Sequence, residues 1–350
     1  MTDKQLKERI QAILLAVMIG DTRGMPVESM TREEILKATG GKGVCDYLDA
    51  IQKTFKSLAE YKAGQTTDDW SGNRAIIKSI IKMGDYDFED SILEQLEEYH
   101  LCETGLGPSS ITAFKQIEEH YVSSGARGRS PFVSAPFSVP GQGSGNGVAI
   151  KIMAIAIWFF MKRDWKNDNE LFEIILQQGL ATHPDKRASI AAFLIAWLIV
   201  SNLVDPVNGS PEKNKVKLSF MAHLAKTIEW GHKLENLEDN LSCRLEKIVE
   251  NDLLNDLDAL IEKNGNSCSS LESIPFSIAV FFRHPTDFRA AIEEAINSGG
   301  DTDSNAAMVG ALVAANCGLE VIPPEWIAPP LNYDEALNLG YELFKVLKKK

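Results

Sequence analysis

The stretch "NSGGDTDSNAAMVGALVAANC", residues 297–317, sets two glycines before Asp301-Thr302-Asp303-Ser304, and an apolar run with helical spacing follows. An N-cap explains part of it. A side-chain oxygen of Asp or Ser accepts a free backbone N–H there, and acidic groups suit the positive end of a helix. A cap does not require two carboxylates together with the Ser304 hydroxyl. Three hard oxygens on one short turn suit Mg²⁺, Mn²⁺ or Ca²⁺. Such a site needs a second half elsewhere in the chain.

Working outward, helical spacing dominates. Leu6, Ile10, Ile13, Leu14, Val17 and Met18 repeat at the interval of a helix with one buried face. Gly20 is expected to end that helix and leave "GDTRGMPVESM" as a loop. Similar spacing recurs around residues 71–83, 86–99, 111–122, 147–162, 168–181, 185–203, 212–234, 236–263, 270–282, 286–297, 304–317 and 333–348. Alternating, strand-like segments are nearly absent, so the expected fold class is all-α. No fixed-period repeat points to a solenoid. No composition shift marks a boundary, and a single domain over 1–350 is expected. The stretch "DPVNGSPEKN", 205–214, reads as a surface turn. Residues 123–146 lack periodicity over a length that usually means a functional loop or disorder.

A chain of 350 residues can bury a large core, and its 44% hydrophobic and 24% charged content is ordinary for a globular protein. The net charge of −13 argues against a nucleic-acid surface, which needs Lys and Arg to neutralise phosphates. Cys45, Cys102, Cys243, Cys268 and Cys317 are scattered, with no CxxC pair. That suits neither a disulfide framework nor a zinc site, and a reducing cytoplasm is the expected location. The start is polar and carries acidic residues, unlike a signal peptide. "IAAFLIAWLIV", 190–200, falls short of the roughly 20 residues that span a bilayer. It reads as a buried helix, and no membrane partner is expected.

The second half of the site is expected in "QTTDDW", residues 65–70. Adjacent Asp68 and Asp69 do not share one helix face. At a loop-to-helix transition, however, both carboxylates and the Thr67 hydroxyl can turn toward one point. Four carboxylates brought together repel strongly, and two divalent cations would offset that charge better than one. Glu28 is a candidate fifth carboxylate. "GQGSGNG", 141–147, offers backbone N–H groups at a helix start, a usual phosphate cradle. It is neither a Walker A loop nor a dinucleotide fingerprint. His183, in "LATHPDKRA", lies between two apolar helices, where a packing or capping role competes with a functional one.

The order of these motifs resembles the ADP-ribosylglycohydrolase family. "AVMIGDTRGMPVES", "TTDDW", "GSGNG", "ATHP", the stretch from "ESIPFSIAVFFRHP" through "GGDTDSNAAMVGALVAA", and "GLEVIPPEW" span residues about 12–326 in the family's order. The GGDTD stretch with its flanks is the specific part. The resemblance implies a compact all-α fold with a cleft holding two Mg²⁺ or Mn²⁺. It implies Thr67, Asp68 and Asp69 as metal ligands on one side, and Asp301, Asp303 and Ser304 on the other, Ser304 standing where the family often has threonine. Glu28 falls where some members place a carboxylate that gates the site or handles water. Ser144, Gly145, Asn146 and Gly147 would hold the diphosphate and ribose, with His183 in the same pocket and Gly299 and Gly300 on the substrate side. Thr22 and Arg23 replace the family's usual Ala-Leu pair, and Trp70 stands where many members have Ser or Thr. Arg23 is expected beside the cleft, where it would alter substrate choice.

The implied activity is cleavage of the glycosidic bond between ADP-ribose and a protein side chain, or a related ADP-ribose conjugate. Glycosidases usually meet the positive charge that builds on the sugar with a pair of carboxylates. Here a metal-assisted route is favoured, with Glu28 or Asp303 as the base that takes the proton from water. A two-metal phosphoesterase fits the carboxylate count equally well. A non-catalytic ADP-ribose-binding or structural member of the family would be marked by loss of aspartates, and all four are present. The expected partner is an ADP-ribosylated protein or ADP-ribose conjugate as substrate; spacing does not fix the oligomeric state, and a monomer is favoured.

Overall fold

The computed structural model describes residues 1–54, 59–101, 105–124, 143–234 and 239–349. Cys102 and most of the expected 123–146 loop lie outside the described residues. The described elements are helices: α1 Asp3–Gly24, α2 Arg32–Ala38, α3 Asp68–Met83, α4 Phe88–Leu101, α5 Pro108–Ser124, α6 Met153–Lys162, α7 Asp168–Leu180 and α8 Lys186–Val204. They continue with α9 Pro211–Gly231, α10 Leu241–Glu250, α11 Leu257–Asn264, α12 Ser270–Arg283, α13 Phe288–Asn297, α14 Thr302–Cys317 and α15 Tyr333–Leu347. Short 3₁₀ turns join several of them, and the described residues contain isolated bridges but no strand. The fold is all-α, as expected.

Two helices form its axis. α14 is buried along all but its last residue, and α1 is buried from Ala12 onward. Helices α3, α8, α12, α13 and α15 surround this pair. One apolar core runs from Ile10 to Leu347, and a small second cluster, including Ile92, Tyr99 and Phe114, joins α4 to α5. α1 and α8 are each long and apolar enough to span a bilayer by composition, more than the sequence reading allowed. Most of each lies in the protein interior instead, where helices apolar on every side belong.

The expected stop at Gly20 is wrong. α1 continues through Asp21, Thr22 and Arg23 to Gly24, all buried. Gly20 and Gly24, one turn apart, face α14. A Cβ on Gly20 would overlap the backbone of Ala306 and Ala307, and one on Gly24 the backbone of Asp303. These glycines therefore permit close helix contact rather than terminate a helix. A glycine inside a helix costs roughly 0.5–1 kcal/mol against alanine, which packing here offsets. Gly20→Ala should reverse that advantage and destabilise the protein by about 1–3 kcal/mol or more through overpacking. Thermal denaturation of the variant checks this; an unchanged melting temperature would show that the helices have room to part.

The single helix expected over 236–263 is also wrong. It divides at Asn251–Asp256, where Asp252 adopts a left-handed backbone (φ 52°) and Asp256 caps α11 by accepting the Ala259 N–H. Asp and Asn compete with helix by bonding nearby backbone, and "ENDLLND" concentrates them.

Candidate metal centre

Three chain segments build the site. The last turn of α1 brings Asp21 inward, and its two oxygens accept the Thr67 N–H (2.9 and 3.1 Å) and the Trp70 N–H (3.1 Å). Asp21 thereby holds the start of α3 in place. Thr67 is a true N-cap, its Oγ1 accepting the Asp69 N–H at 3.3 Å. The carboxylates that follow remain free of capping duty.

Glu28 comes from the chain just after α1. The Ser29 N–H donates to Gly300 O (2.7 Å) and the Gly300 N–H to Met30 O (3.0 Å). This exchange lays the Glu28 loop along the residues before α14. Gly299 and Gly300 both have positive φ, 75° and 77°. A Cβ on Gly299 would meet Met30 O, and one on Gly300 would overlap Asn266. The double glycine thus serves the joining of two loops.

Asp301 occupies the N-cap of α14 without making a side-chain capping bond. Its Oδ2 instead accepts from Asn146 Nδ2 at 2.7 Å. The bland reading of GGDTDS fails at this residue. Asn146 also donates to Ser273 Oγ (3.0 Å), whose hydroxyl donates to Asn305 Oδ1 (2.6 Å). Asn305 in turn bonds Asn266 O, which also accepts the Asp301 N–H. A buried amide network therefore fixes Asp301 from behind.

Carboxylate oxygens of Glu28, Asp301 and Asp303 all lie within 4.8 Å of one another. Ser304 Oγ donates to Asp69 Oδ1 at 3.4 Å and links the two acidic turns, 235 residues apart in sequence. Asp68 follows Thr67 on the same wall, with its Oδ1 beside Gly105. Asp69 Oδ2 is buried with no hydrogen-bond partner among the described residues. An orphaned buried carboxylate oxygen on a residue tied by Ser304 to a second acidic turn suits a hard divalent cation, so the donor set fits Mg²⁺ or Mn²⁺.

The charge distribution agrees. Burial, then Asp301, Asp68 and Asp21, push the Glu28 carboxyl up to about 9. Burial pushes Asp21 and Asp68 up to about 7, with Asp21 adding to the effect on Asp68. Asp69 and Asp303 are raised well above the ordinary range, by burial first and by neighbouring carboxylates second. Asp301 is raised too, again by burial. Folded-state values above the unfolded ones mean that metal-free stability from these groups is full below their unfolded values and is lost as pH climbs through about 9. Cations compete with those protons. Millimolar Mg²⁺ or Mn²⁺ should therefore raise the melting temperature more at about pH 8.5 than at about pH 5.5. Comparing melting curves with and without metal at each pH cancels groups elsewhere. A metal effect that shrinks with rising pH would contradict this picture.

On the far side, Ser144–Gly147 is pinned to the start of α12: the Asn146 N–H donates to Cys268 O (3.0 Å) and the Ser270 N–H to Ser144 O (2.9 Å). His183 is buried against it. A Cβ at Gly147 would lie 2.9 Å from His183 Nε2, so the glycine makes room for the ring edge. Arg23 is not beside the cleft. Its fully buried guanidinium lies 3.8 Å from the Trp326 ring centroid and 5.3 Å from that of Tyr47, stacked in the interior. The Trp70 indole likewise turns away, donating to Glu335 at 3.1 Å.

Asp21 and the amide network escaped the sequence reading, as did Lys151, which is buried between Thr182 and Phe114. A signal existed for two of them. Asp21 continues the spacing of Leu14, Val17 and Met18, a carboxylate on a buried face. Lys151 is a lone cation inside "GVAIKIMAIAIWFFM".

Residues 2–350 match the family model described as ADP-ribosylglycohydrolase. ADP-ribosylhydrolase ARH3 of Homo sapiens is 27% identical over 302 residues, covering 81% of this chain and 79% of that protein. An uncharacterised protein of Archaeoglobus fulgidus is 27% identical over 327 residues, covering 92% and 91%. A solved structure titled "ADP-ribosylglycohydrolase-related protein complex" superposes with a TM-score of 0.63 at 20% identity, covering 98% of this chain and 99% of that one.

Proposed function

From the premise that this chain belongs to the ADP-ribosylglycohydrolase family, we propose that its acidic cleft hydrolyses the glycosidic bond between ADP-ribose and a protein side chain or related conjugate. The observation that carries the reading is the convergence of Glu28, Asp301 and Asp303, with Asp69 linked to the same turn through Ser304. Thr67, Asp68, Asp69, Asp301, Asp303 and Ser304 would hold two Mg²⁺ or Mn²⁺. When bound, these ions supply Lewis acidity and offset the repulsion among the carboxylates.

The chain's own residues do the rest. Water adds its oxygen to the anomeric carbon while the bond to the acceptor heteroatom breaks and its electrons leave with that atom. Glu28, the most accessible carboxylate of the convergent three, accepts the proton from water. Asp301, held by Asn146, and Asp21, braced against Thr67 and Trp70, keep the ligand oxygens in position. Ser144, Gly145, Asn146 and Gly147 would hold the phosphates and ribose, with His183 packed against the same turn.

The test is incubation with arginine-linked and serine-linked ADP-ribosyl peptides, with Mg²⁺ or with EDTA. Free ADP-ribose is expected with Mg²⁺ and not with EDTA. Release of AMP and phosphate would instead mark a phosphoesterase, and ADP-ribose binding without turnover a non-catalytic member.

A further inference from the structure

Lys151 and Thr182 lie behind the site and are not among the residues assigned to metal or substrate above. Both are buried, Thr182 fully. Lys151 Nζ lies 3.5 Å from Thr182 Oγ1, and Thr182 Oγ1 lies 2.9 Å from His183 Nδ1. We propose that Lys151 and Thr182 form a one-directional hydrogen-bond relay that fixes His183 with its proton on Nε2, as a donor for an anionic ligand oxygen beside Gly145–Gly147.

The direction follows from donor chemistry. Burial pulls Lys151 down to about 8. Below that pH it is an ammonium, with donors and no acceptor, so Thr182 Oγ1 accepts from it. The Thr182 hydroxyl then has its own proton to place, in an interior where an unmade bond costs about 1–3 kcal/mol. Among its described partners only His183 Nδ1 can accept. A ring that accepts at Nδ1 and is neutral carries its proton on Nε2. Burial first, with the Lys151 charge added, pulls His183 down to about 3, in keeping with a neutral ring. Nε2 is the nitrogen turned toward the glycine turn, 2.9 Å from where a Gly147 Cβ would stand and 3.8 Å from that of Gly145. Lys151 and Thr182 are thus positioning residues that act through the imidazole. The ligand, a phosphate oxygen of ADP-ribose, rests on the function proposed above; the relay itself does not.

Long-range ¹H–¹⁵N correlation of the histidine rings tests it on the full chain, with the His183→Asn spectrum identifying the resonance. In the wild type, the Nδ1 shift should be that of an unprotonated acceptor and the Nε2 shift that of a protonated nitrogen. Thr182→Val and Lys151→Met should each move the Nδ1 resonance, and Thr182→Ser should restore it. With Mg²⁺ present, Thr182→Val should weaken ADP-ribose binding about tenfold, the scale of one hydrogen bond, and Thr182→Ser should not. A wild-type ring protonated at Nδ1, or ring shifts unmoved in Thr182→Val, would overturn the relay. No ADP-ribose binding by a wild type whose ring is protonated at Nε2 would sink the ligand assignment and the functional reading, and leave the relay standing.

Discussion

Asp303→Ala is expected to abolish hydrolysis, with a loss of roughly 10³-fold or more, because Lewis-acid stabilisation is worth several kcal/mol and each 1.36 kcal/mol is tenfold in rate. Asp303 is buried at the start of α14, its oxygens within 4.8 Å of those of Glu28 and Asp301. Its Oδ1 also accepts the Ser304 N–H at 2.9 Å, which fixes the carboxylate against the helix. Removing it deletes a proposed ligand while the amide network behind Asp301 survives. Metal content should fall together with activity, and ADP-ribose should bind more weakly. The fold should hold, since relieving repulsion among buried carboxylates offsets the lost packing. ADP-ribose release, bound metal and melting temperature are measured on one preparation. A fully active variant would defeat the metal-assisted mechanism.

Glu28→Gln separates proton handling from metal binding. The substitution keeps size and removes the acid–base function of a carboxyl that burial and its neighbours push up to about 9 in the metal-free protein. If Glu28 takes the proton from water, its loss should cost roughly 10²–10⁴ in rate, the usual range for one general acid or base. Metal content should remain close to wild type, because the proposed ligands are untouched. Melting temperature without metal should rise at alkaline pH, since one of the mutually repelling acids has gone. Rate and metal stoichiometry read together decide the matter. Full activity would move the base role to Asp303; a parallel loss of metal would make Glu28 a ligand.

The all-α class, most helix positions and the acidic turns at 67–69 and 301–304 are readable from the sequence. Each is a local property: apolar spacing, cap chemistry, or carboxylates packed into one short turn. Pairing of the two turns was reachable only because charge on one demanded a partner and the motif order supplied it. The tertiary structure decided the remainder. Gly20 looks like a helix stop until α14 is seen pressed against it, since propensity counts a missing Cβ as a cost and packing can use it as clearance. Arg23 reads as a cleft residue from its neighbours, yet its place on a continued helix turns it into the interior against Trp326. Asp301 reads as a cap, but the amide that engages it comes from Asn146, 155 residues away. Asp21, Lys151 and Thr182 sit in quoted motifs or apolar runs, yet their work lies in hydrogen bonds and fields that exist only once distant helices meet. Local periodicity determines which segments are helices; which polar groups end up facing one another inside is settled by how those helices pack.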